Sequence, residues 1–432
     1  MASESRSHGW GALRHRGYAL YWCSRILAAF AIEMQSTTVG WQVYRLTGDP
    51  LDLGFVGLAQ FAPFILLFLV TGLVADRISR VKILAVCVAV QGAIAAAFFA
   101  MTYSGHASFV AILALLVLFG VARAFHSPIH QSITPNLVPA DSLANAIAWS
   151  STGQTISRIA GPMIAGILIA AGERSGLNEM LPYASAGALL VVAFVLTVMI
   201  RIHGQRRSRE PVSITSVLAG LGFIWTRQTV FAVTALDLFA VLFGGVTAML
   251  PVFAKDILQV GADGFGVLRA SITCGALVGA VVLTQRPIRR GVGVKLLISA
   301  GIFGLSVVAF GLSTSFYLSI ATLFVMGLAD VVSVNIRHTM SQLITPDEMR
   351  GRVGAAVGVF VGASNEVGEF RAGVMAHWIG IVPAVALGGA MTVAVVAAFA
   401  VIYPVLLGMT NLDPETLVRR YRGSHDRRGH KR

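Results

Sequence analysis

The sequence predicts an all-α membrane protein that crosses the bilayer twelve times. Of its 432 residues, 56% are hydrophobic and 12% are charged, about half of the roughly 25% charged residues that soluble proteins carry. The charged residues are concentrated in short segments between long apolar stretches. Each stretch has about 20 residues, the length that a helix needs to cross the hydrocarbon core. We expect helical spans, because the alternation of about ten residues typical of an outer-membrane barrel is absent from the sequence.

The twelve apolar stretches form two groups of six, separated by a polar linker. Their approximate bounds are 18–46, 51–75, 81–103, 108–133, 142–171, 180–201, 229–255, 263–285, 294–313, 315–341, 352–378 and 383–409. We therefore expect a cytoplasmic N-terminal tail (1–17), an N-terminal six-helix bundle (18–201), a cytoplasmic linker with an amphipathic helix (202–228), a C-terminal six-helix bundle (229–409) and a basic cytoplasmic tail (410–432). A longer seventh span that includes residues 212–227 is the alternative for the linker.

The distribution of lysine and arginine predicts the orientation in the membrane. On one side of the predicted spans lie the arginines of the linker and of the tail, whereas the other side offers only Arg174 and Lys255. Both termini are therefore predicted to be cytoplasmic. The net charge of +13 is explained by this orientation, and we expect no nucleic acid partner. Three cysteines without a C-x-x-C pair predict neither a disulfide framework nor a metal site, and we expect no cofactor.

The two halves of the sequence resemble each other. A shift of 207 residues aligns Gly54 with Gly261, Gly57 with Gly264, Gly72 with Gly279, Gly120 with Gly327, Pro139 with Pro346, Gly161 with Gly368 and Gly166 with Gly373. Two six-helix halves repeated in parallel are typical of one large class of secondary transporters.

Ionisable side chains inside predicted spans are the candidates for function, because a charge in hydrocarbon needs a partner or a water-filled cavity. We expect the proton-coupling group among five carboxylic acids: Glu33, Asp237, Asp330, Glu366 and Glu369. Five arginines are candidates for the substrate cavity, where they would tune these acids or bind an anion: Arg25, Arg123, Arg158, Arg269 and Arg371. The alternative for each residue is a structural ion pair. Spans 3, 6, 9 and 12 have no charge in their interiors, which favours a polar path lined by the other spans.

The loop after span 2 carries the motif Gly72-x-x-x-Asp76-Arg77-x-x-Arg80. It resembles the loop signature of the major facilitator superfamily, in which we expect the aspartate and the arginines to form a gating latch. Span 5 contains Gly161-Pro162-x-x-x-Gly166. This segment resembles the antiporter signature of the drug exporters in that superfamily, and the alternative is a kinked helix with small-residue packing.

Three further segments resemble the enterobactin-exporter-like branch of the superfamily, which also includes macrolide efflux proteins. They are 237–256, 345–353 and 365–373. The resemblance implies a proton-coupled exporter of a small molecule in the bacterial inner membrane, with two six-helix bundles that alternate access to a central site. The five embedded arginines favour an anionic, siderophore-like substrate. A multidrug or macrolide efflux pump and a lipid-handling transporter are the alternatives. We expect a monomer and no enzymatic activity.

Overall fold

The computed structural model describes residues 11–77, 79–201, 214–288 and 290–409, and regular secondary structure in these residues is helical. Contacts between Cα atoms divide the chain into two compact units. The first unit comprises 1–211 and 250–270, and the second comprises 212–249 and 271–432. Residues 250–270 thus belong to the first unit, although they follow the linker in the sequence. The bundles 18–201 and 229–409 stay a prediction.

Six long helices form most of the first unit, and each lies within a few residues of a predicted span. They are α1 (Arg16–Thr47), α2 (Pro50–Arg77), α3 (Arg80–Tyr103), α4 (Phe109–Ile133), α5 (Ala140–Ser175) and α6 (Met180–Val198). Serine side chains cap two of them: Ser79 Oγ accepts from the backbone of Lys82, and Ser108 Oγ accepts from the backbone of Ala111. Such caps satisfy amide groups that a helix leaves without an internal partner. The helices therefore begin where the apolar stretches begin.

The remaining helices are α7 (Ile214–Thr226), α8 (Gln228–Gly244), α9 (Gly261–Gln285), α10 (Val292–Gly311), α11 (Phe316–Ile344), α12 (Asp347–Ile379), α13 (Ile381–Ile402) and the short α14 (Pro404–Leu407). The last predicted span, 383–409, is interrupted at Tyr403. Pro404 follows this residue, and a proline cannot continue the hydrogen-bond ladder of the preceding helix.

The seventh span is broken, whereas the sequence predicts one continuous helix over 229–255. After α8 ends at Gly244, the chain forms a 3₁₀ turn at Thr247–Met249, a single helical turn at Leu250–Val252 and a π-helical segment at Phe253–Ile257. Gly244 and Gly245 disfavour a regular helix, and Pro251 has no amide hydrogen to donate. The boundary between the two units lies in this broken segment.

The predicted amphipathic segment of the linker contains α7, which packs against the beginning of α12. A Cβ atom at Gly220 would lie 2.7 Å from the carbonyl carbon of Arg352, so the two backbones are in close contact. Ile224 is buried in one apolar cluster with Val353 and Val357. Leu218 and Trp225 are more than half exposed instead, although the ring of Trp225 also contacts that of Phe231, with 5.0 Å between the centroids.

The internal repeat is visible in the packing of each unit. In the first unit, Gly161 of α5 packs against α1, where a Cβ atom at Gly161 would lie 2.7 Å from the Cβ atom of Glu33. In the second unit, Gly368 of α12 packs against α8, where its Cβ atom would lie 2.9 Å from the carbonyl oxygen of Val241. The shift of 207 residues relates Gly161 to Gly368 and brings Glu33 within one residue of Val241. The same small-residue contact is therefore built twice.

Nine helices in the described part of the chain are long and apolar enough to cross a membrane. Two long helices outside this set are α1 and α12, and both carry embedded charges predicted from the sequence, including Glu33 in α1 and Glu369 in α12. Within the residues whose side chains the structure describes, α4 contributes the shorter apolar segment Phe109–Phe125.

Candidate functional site

In the first unit, the carboxylate of Glu33 lies between two arginines. Arg158 Nε is 3.9 Å from Glu33 Oε1, and Arg269 Nη2 is 3.8 Å from Glu33 Oε2. Arg269 also donates a hydrogen bond of 3.0 Å to the hydroxyl of Ser36. The two carboxylate distances suit ion pairs but exceed the hydrogen-bond range. One carboxylate and two guanidinium groups leave a net positive charge, so this Glu33 cluster can attract an anion.

The side chains of the Glu33 cluster remain partly open. Arg158 is 59% exposed, Glu33 is 24% exposed and Arg269 is 21% exposed. An additional ligand could therefore reach the guanidinium groups without displacing a packed core. Fully buried ion pairs are commonly structural, whereas an open and incompletely paired cluster suits binding and release.

Small residues of α5 bring the three helices of this cluster together. Gly161 allows α5 to approach Glu33 on α1. A Cβ atom at Gly166 would lie 2.5 Å from the carbonyl oxygen of Ala262, and one at Gly266 would lie 2.5 Å from the carbonyl oxygen of Pro162. Since Gly266 lies one helical turn before Arg269, this backbone contact between α5 and α9 holds Arg269 near α1. The antiporter-like motif thus lies at the Glu33 cluster.

Arg25 and Arg123 are the other two candidate arginines of the first unit. Arg25 of α1 donates a hydrogen bond of 3.1 Å from Nη2 to the side-chain oxygen of Gln154 on α5. It precedes Glu33 by about 12 Å along the helix axis, at 1.5 Å per residue. Arg123 of α4 is exposed and has an interaction partner. Of the five candidate arginines, only Arg158 and Arg269 form ion pairs with Glu33 among the described residues.

A second charged pair, in the second unit, joins Asp237 of α8 to Arg337 of α11. The side chains are 6% and 5% exposed, respectively. Sequence reasoning identified Asp237 but not Arg337, although this arginine lies within the predicted span 315–341. The observed helix continues to Ile344, so Arg337 lies within the span. Its spacing of seven residues from Asp330 on one helix face could have indicated it.

Arg371 of α12 lies at the end of α8. Its Nε donates to the carbonyl oxygen of Leu242 at 2.9 Å, and its Nη2 donates to that of Phe243 at 2.6 Å. The guanidinium also lies 5.8 Å from the ring centroid of Phe243. These carbonyl groups belong to the last turn of α8, where a cation is favourable. The arrangement assigns Arg371 a structural contact at the break of the seventh span.

The remaining candidate acids lie on α11 and α12. Asp330 of α11 is half-buried, two turns before Arg337 on the same helix face. Glu366 and Glu369 of α12 are half-buried and have interaction partners. They flank Gly368, whose backbone contacts α8. These three acids and the Asp237–Arg337 pair all belong to the second unit.

The predicted gating motif lies across the junction of α2 and α3. Gly72, Asp76 and Arg77 belong to α2, but their side chains lie outside the described residues. Arg80 is the first residue of α3 and is buried, with an interaction partner. The latch therefore stays a prediction.

Three side chains near the end of α1 hold three carboxylates, an arrangement that sequence reasoning missed. Trp41 Nε1 donates to Glu173 Oε1 at 3.0 Å, and Arg45 Nη2 donates to Glu179 Oε2 at 2.5 Å. Tyr44 donates its hydroxyl hydrogen to Asp256 in the π-helical segment. Burial raises the pKa of Glu179 in the loop before α6, and the positive charge of Arg45 opposes this shift. This carboxylate belt ties α1 to α5, to α6 and to residues 253–257.

Several proteins of known role are similar to this chain. Macrolide efflux protein A of Streptococcus pyogenes is 24% identical over 406 residues, which cover 91% of this chain and 96% of the relative. Macrolide efflux protein A of Enterococcus faecalis is 27% identical over 330 residues, or 73% of this chain and 96% of the relative. The enterobactin exporter EntS of Escherichia coli O1:K1 is 26% identical over 346 residues, or 78% of this chain and 80% of the relative.

Solved transporter structures share the fold. A bacterial homologue of the human lysosomal transporter spinster, in an inward-facing and unoccupied conformation, superposes with a TM-score of 0.67 at 18% identity and covers 94% of this chain and 98% of its own. The nucleoside transporter NupG superposes with a TM-score of 0.68 at 16% identity, covering 90% of this chain and 99% of its own. At these identities the likeness shows the twelve-helix fold alone.

The family model described as transmembrane secretion effector matches residues 7–419. Almost the whole chain is matched, and the helices, the internal repeat and the structural neighbours agree with that assignment. The chain is a multi-pass membrane transporter, rather than an enzyme, and it belongs to the transmembrane secretion effector family of the major facilitator superfamily.

Proposed function

We propose that this transporter exports an anionic small molecule of the catecholate siderophore type from the bacterial cytoplasm, coupled to proton entry. The observation that carries the proposal is the Glu33 cluster, in which two partly exposed arginines share one carboxylate. The name of the enterobactin exporter supports the substrate class, and the names of all three relatives support export.

The substrate would bind through Arg158 and Arg269. A guanidinium group offers a planar fork of donors to an oxyanion and stays charged at every physiological pH. In the structure, the two arginines form ion pairs with Glu33 at 3.9 and 3.8 Å. An oxyanion that binds both arginines therefore replaces two long ion pairs with closer contacts. Glu33 acts as the competing internal anion, which keeps the site from holding the substrate too tightly.

This role differs from the expected role of Glu33 as a proton carrier. A proton on Glu33 would remove the competing negative charge and strengthen anion binding, whereas an antiporter needs proton binding to promote substrate release. An anionic substrate at the Glu33 cluster therefore requires that the coupling proton bind elsewhere. The candidate acids of the second unit, led by Asp237, meet this requirement.

The alternative substrate is a macrolide, because the S. pyogenes macrolide efflux relative covers 91% of this chain. Macrolides of the common type carry a basic amine, which is cationic at neutral pH. An ammonium group would bind Glu33 and be repelled by the two arginines. The two substrate classes thus predict opposite effects of removing the charge of Glu33.

Transport into inverted membrane vesicles tests the proposal. We expect a labelled catecholate siderophore to accumulate when the vesicle interior is acidic and to accumulate less when the gradient is collapsed. Glu33→Gln should lower the apparent KM for the siderophore, whereas Arg158→Gln should raise it by roughly tenfold, the loss expected for one charge-assisted contact. Arg174→Gln is the matched control, since Arg174 is exposed on the same helix and lies outside the cluster.

The outcomes separate the alternatives. Accumulation of a macrolide but not of the siderophore, with Glu33→Gln abolishing it, would assign the site to cationic substrates. Siderophore transport that ignores the proton gradient would contradict the coupling. Accumulation of neither compound, together with movement of a fluorescent lysophospholipid, would support the lipid-handling alternative.

A further inference from the structure

Helix α1 carries a stripe of partly exposed side chains along one face. Its members are three or four residues apart, so they share one side of the helix: Trp22, Arg25, Ala29, Glu33 and Ser36. The Glu33 cluster occupies one end of this stripe. Trp22 and Arg25 lie at the other end, where the sequence analysis named only the arginine as a candidate.

Helix α5 presents a matching polar stripe to α1. It consists of Ser151, Gln154, Thr155 and Arg158, all partly or largely exposed. Two contacts join the stripes: Arg25 Nη2 donates to Gln154 Oε1 at 3.1 Å, and Arg158 Nε lies 3.9 Å from Glu33 Oε1. Polar groups that stay accessible inside a membrane span need water or a polar ligand beside them. The two stripes therefore border one polar groove.

Arg25 is a charge in this groove whose partners are neutral. Its guanidinium is bonded to the amide oxygen of Gln154 and to the hydroxyl group of Tyr21. Among the described residues, no carboxylate forms an ion pair with Arg25. An arginine inside a membrane span normally has a counter-charge or a water-filled surrounding. Arg25 can therefore accept an anion without first giving up an internal one.

Two tryptophan rings lie next to this arginine. Trp22 and Trp149 meet edge to face, with 5.5 Å between the centroids and 89° between the planes. Trp22 Nε1 donates to the carbonyl oxygen of Trp149 at 2.9 Å, which fixes the orientation of the Trp22 ring. Both rings are partly exposed. Since Trp22 precedes Arg25 by one helical turn, an aromatic surface and a guanidinium lie side by side in the groove.

The attachment of α1 to α5 does not depend on Arg25. The buried hydroxyl group of Tyr18 donates to the carbonyl oxygen of Ala146 at 2.5 Å and lies 3.0 Å from the hydroxyl oxygen of Ser150. Gly153 adds a close contact, because a Cβ atom there would lie 2.7 Å from Cγ1 of Ile26. These buried contacts hold the helices together, whereas Trp22 and Arg25 lie on the accessible side.

We propose that this end of the groove is a second substrate subsite, which binds an aromatic ring that carries an oxyanion. The aryl subsite consists of Trp22, Arg25, Trp149 and Gln154. Aromatic rings bind each other face to edge or in offset stacks, and a guanidinium binds an oxyanion through paired hydrogen bonds. The inference rests on the proposed export of a catecholate siderophore, and it specifies which features of that substrate are recognised.

The spacing of the two subsites sets the size of the substrate. Arg25 and Glu33 are eight residues apart on α1, or roughly 12 Å at 1.5 Å per residue. A substrate with two anionic rings at this separation can occupy the aryl subsite and the Glu33 cluster together. Linking two binding groups typically raises the affinity by roughly 10²–10⁴-fold over either group alone. The transporter should therefore prefer molecules with several catechol rings to a single catechol.

The aryl subsite also has a defined place on the export route. Arg25 lies nine residues after the first residue of α1, whereas Glu33 lies seventeen residues after it. The loop charges predict that this end of α1 faces the cytoplasm. A substrate that enters from the cytoplasm therefore meets the aryl subsite before it reaches the Glu33 cluster.

Binding of a labelled catecholate siderophore to the purified full-length protein in detergent tests the subsite. Arg25→Gln should raise the Kd roughly tenfold, the loss expected for one charge-assisted contact, and Arg25→Lys should recover part of it because the charge remains. Arg16→Gln is the matched control, since Arg16 is exposed at the start of the same helix. The apparent melting temperature of Arg25→Gln should not fall, whereas a merely structural arginine would lower it.

Tryptophan fluorescence locates the bound ring. The siderophore should quench the wild-type emission, and Trp22→Leu should reduce the quenching and raise the Kd about fivefold, as expected for the loss of one aromatic contact. Trp378→Leu is the control, because this side chain is 78% exposed and belongs to α12. Equal effects of the two variants on the Kd would overturn the assignment of Trp22.

A set of synthetic ligands tests recognition at two points. Two dihydroxybenzoyl groups joined by a chain that spans about 12 Å should bind roughly 10²-fold more tightly than dihydroxybenzoate alone. The same groups on a chain too short to reach both subsites should lack this gain, and Arg25→Gln should remove it from the longer compound. Equal affinity for the long and the short compound would overturn the two-point model.

The failure of this inference differs from the failure of the proposed function. If the siderophore binds the wild-type protein and Arg158→Gln weakens binding while Arg25→Gln and Trp22→Leu do not, the aryl subsite is wrong and the proposed substrate stands. If the wild-type protein binds neither the siderophore nor the two-ring compounds, the substrate class itself is wrong, and the aryl subsite falls with it.

Discussion

The guanidinium of Arg371 is hydrogen-bonded to the backbone of Phe243, with Nη2 of the arginine 2.6 Å from the carbonyl oxygen. A second bond from Nε reaches Leu242. Both carbonyl groups lie in the last turn of α8, immediately before Gly244 and Gly245 break the seventh span. Carbonyl groups at a helix end have no partner within the helix. Arg371 therefore stabilises the break that the sequence did not predict.

Replacing Arg371 by glutamine should destabilise the protein more than it impairs substrate binding. Two hydrogen bonds to a charged donor are lost, each worth about 1.5 to 3 kcal/mol, so we expect a loss of roughly 3 kcal/mol. The apparent melting temperature in detergent, followed by tryptophan fluorescence, measures this effect. Arg174→Gln on the exposed end of α5 is the control. A normal melting temperature combined with a raised KM would instead place Arg371 in the substrate site.

Most of the spans could be predicted from the sequence because a helix that crosses the bilayer needs a minimum length and a largely apolar composition. Gly161 and Gly368 could also be related in advance, since a repeat at a fixed shift requires no knowledge of the fold. The break after Gly244 could not be predicted. Glycine pairs are common in membrane helices as packing residues, so Gly244 and Gly245 alone do not predict a helix end. The contact of Arg371 with the carbonyl group of Phe243, which stabilises this end, joins residues that are far apart in the sequence.

The candidate sites were predictable as a list of residues but not as a set of contacts. Glu33, Arg158 and Arg269 lie on three different helices, and nothing in the local sequence indicates which embedded acid pairs with which arginine. Arg337 was missed for a related reason. A basic residue near a predicted helix end is commonly an interfacial anchor, and only the longer helix α11 and the neighbouring Asp237 show that it is buried.

The buried pair in the second unit predicts a strongly non-additive pattern of stability. Asp237→Asn leaves the charge of Arg337 buried without a partner, and removing one member of such a pair typically costs about 3–5 kcal/mol. The double variant Asp237→Asn with Arg337→Gln removes both charges and should recover most of this loss. Unfolding free energies of the wild-type protein, of the single variants Asp237→Asn and Arg337→Gln, and of the double variant give the coupling free energy. Additive effects would show that the two side chains do not depend on each other.

The contact between α5 and α9 predicts a position-specific effect of a single methyl group. Gly166→Ala would place a Cβ atom 2.5 Å from the carbonyl oxygen of Ala262, so the helices must separate. Overpacking of this kind costs about 1–3 kcal/mol, and it should also move Arg269 away from Glu33 and raise the KM for an anionic substrate. Gly301→Ala in α10 is the matched control, because a Cβ atom there meets no atom within 4 Å. Equal behaviour of the two variants would contradict the role assigned to the motif.

The carboxylate belt at the end of α1 predicts a pH-dependent contribution to stability from Glu179. Burial raises the pKa of this glutamate above its ordinary value of 4.5, against the opposing charge of Arg45. The folded protein therefore holds the proton more tightly than the unfolded chain. The stabilising contribution is complete below pH 4.5 and is lost as the pH rises through the raised value.

The difference in apparent melting temperature between the wild-type protein and Glu179→Gln should accordingly fall as the pH rises above 4.5 and through the raised pKa of Glu179. Glutamine is uncharged at every pH, so this variant lacks the contribution of residue 179 but retains Arg45 and the other carboxylates of the belt. Glu173→Gln is the matched control, because Glu173 is exposed and bonded to Trp41. If the wild-type protein and Glu179→Gln lose stability in parallel, the ion pair with Arg45 offsets burial; if the wild-type protein instead gains stability relative to the variant as the pH rises, the ion pair outweighs burial.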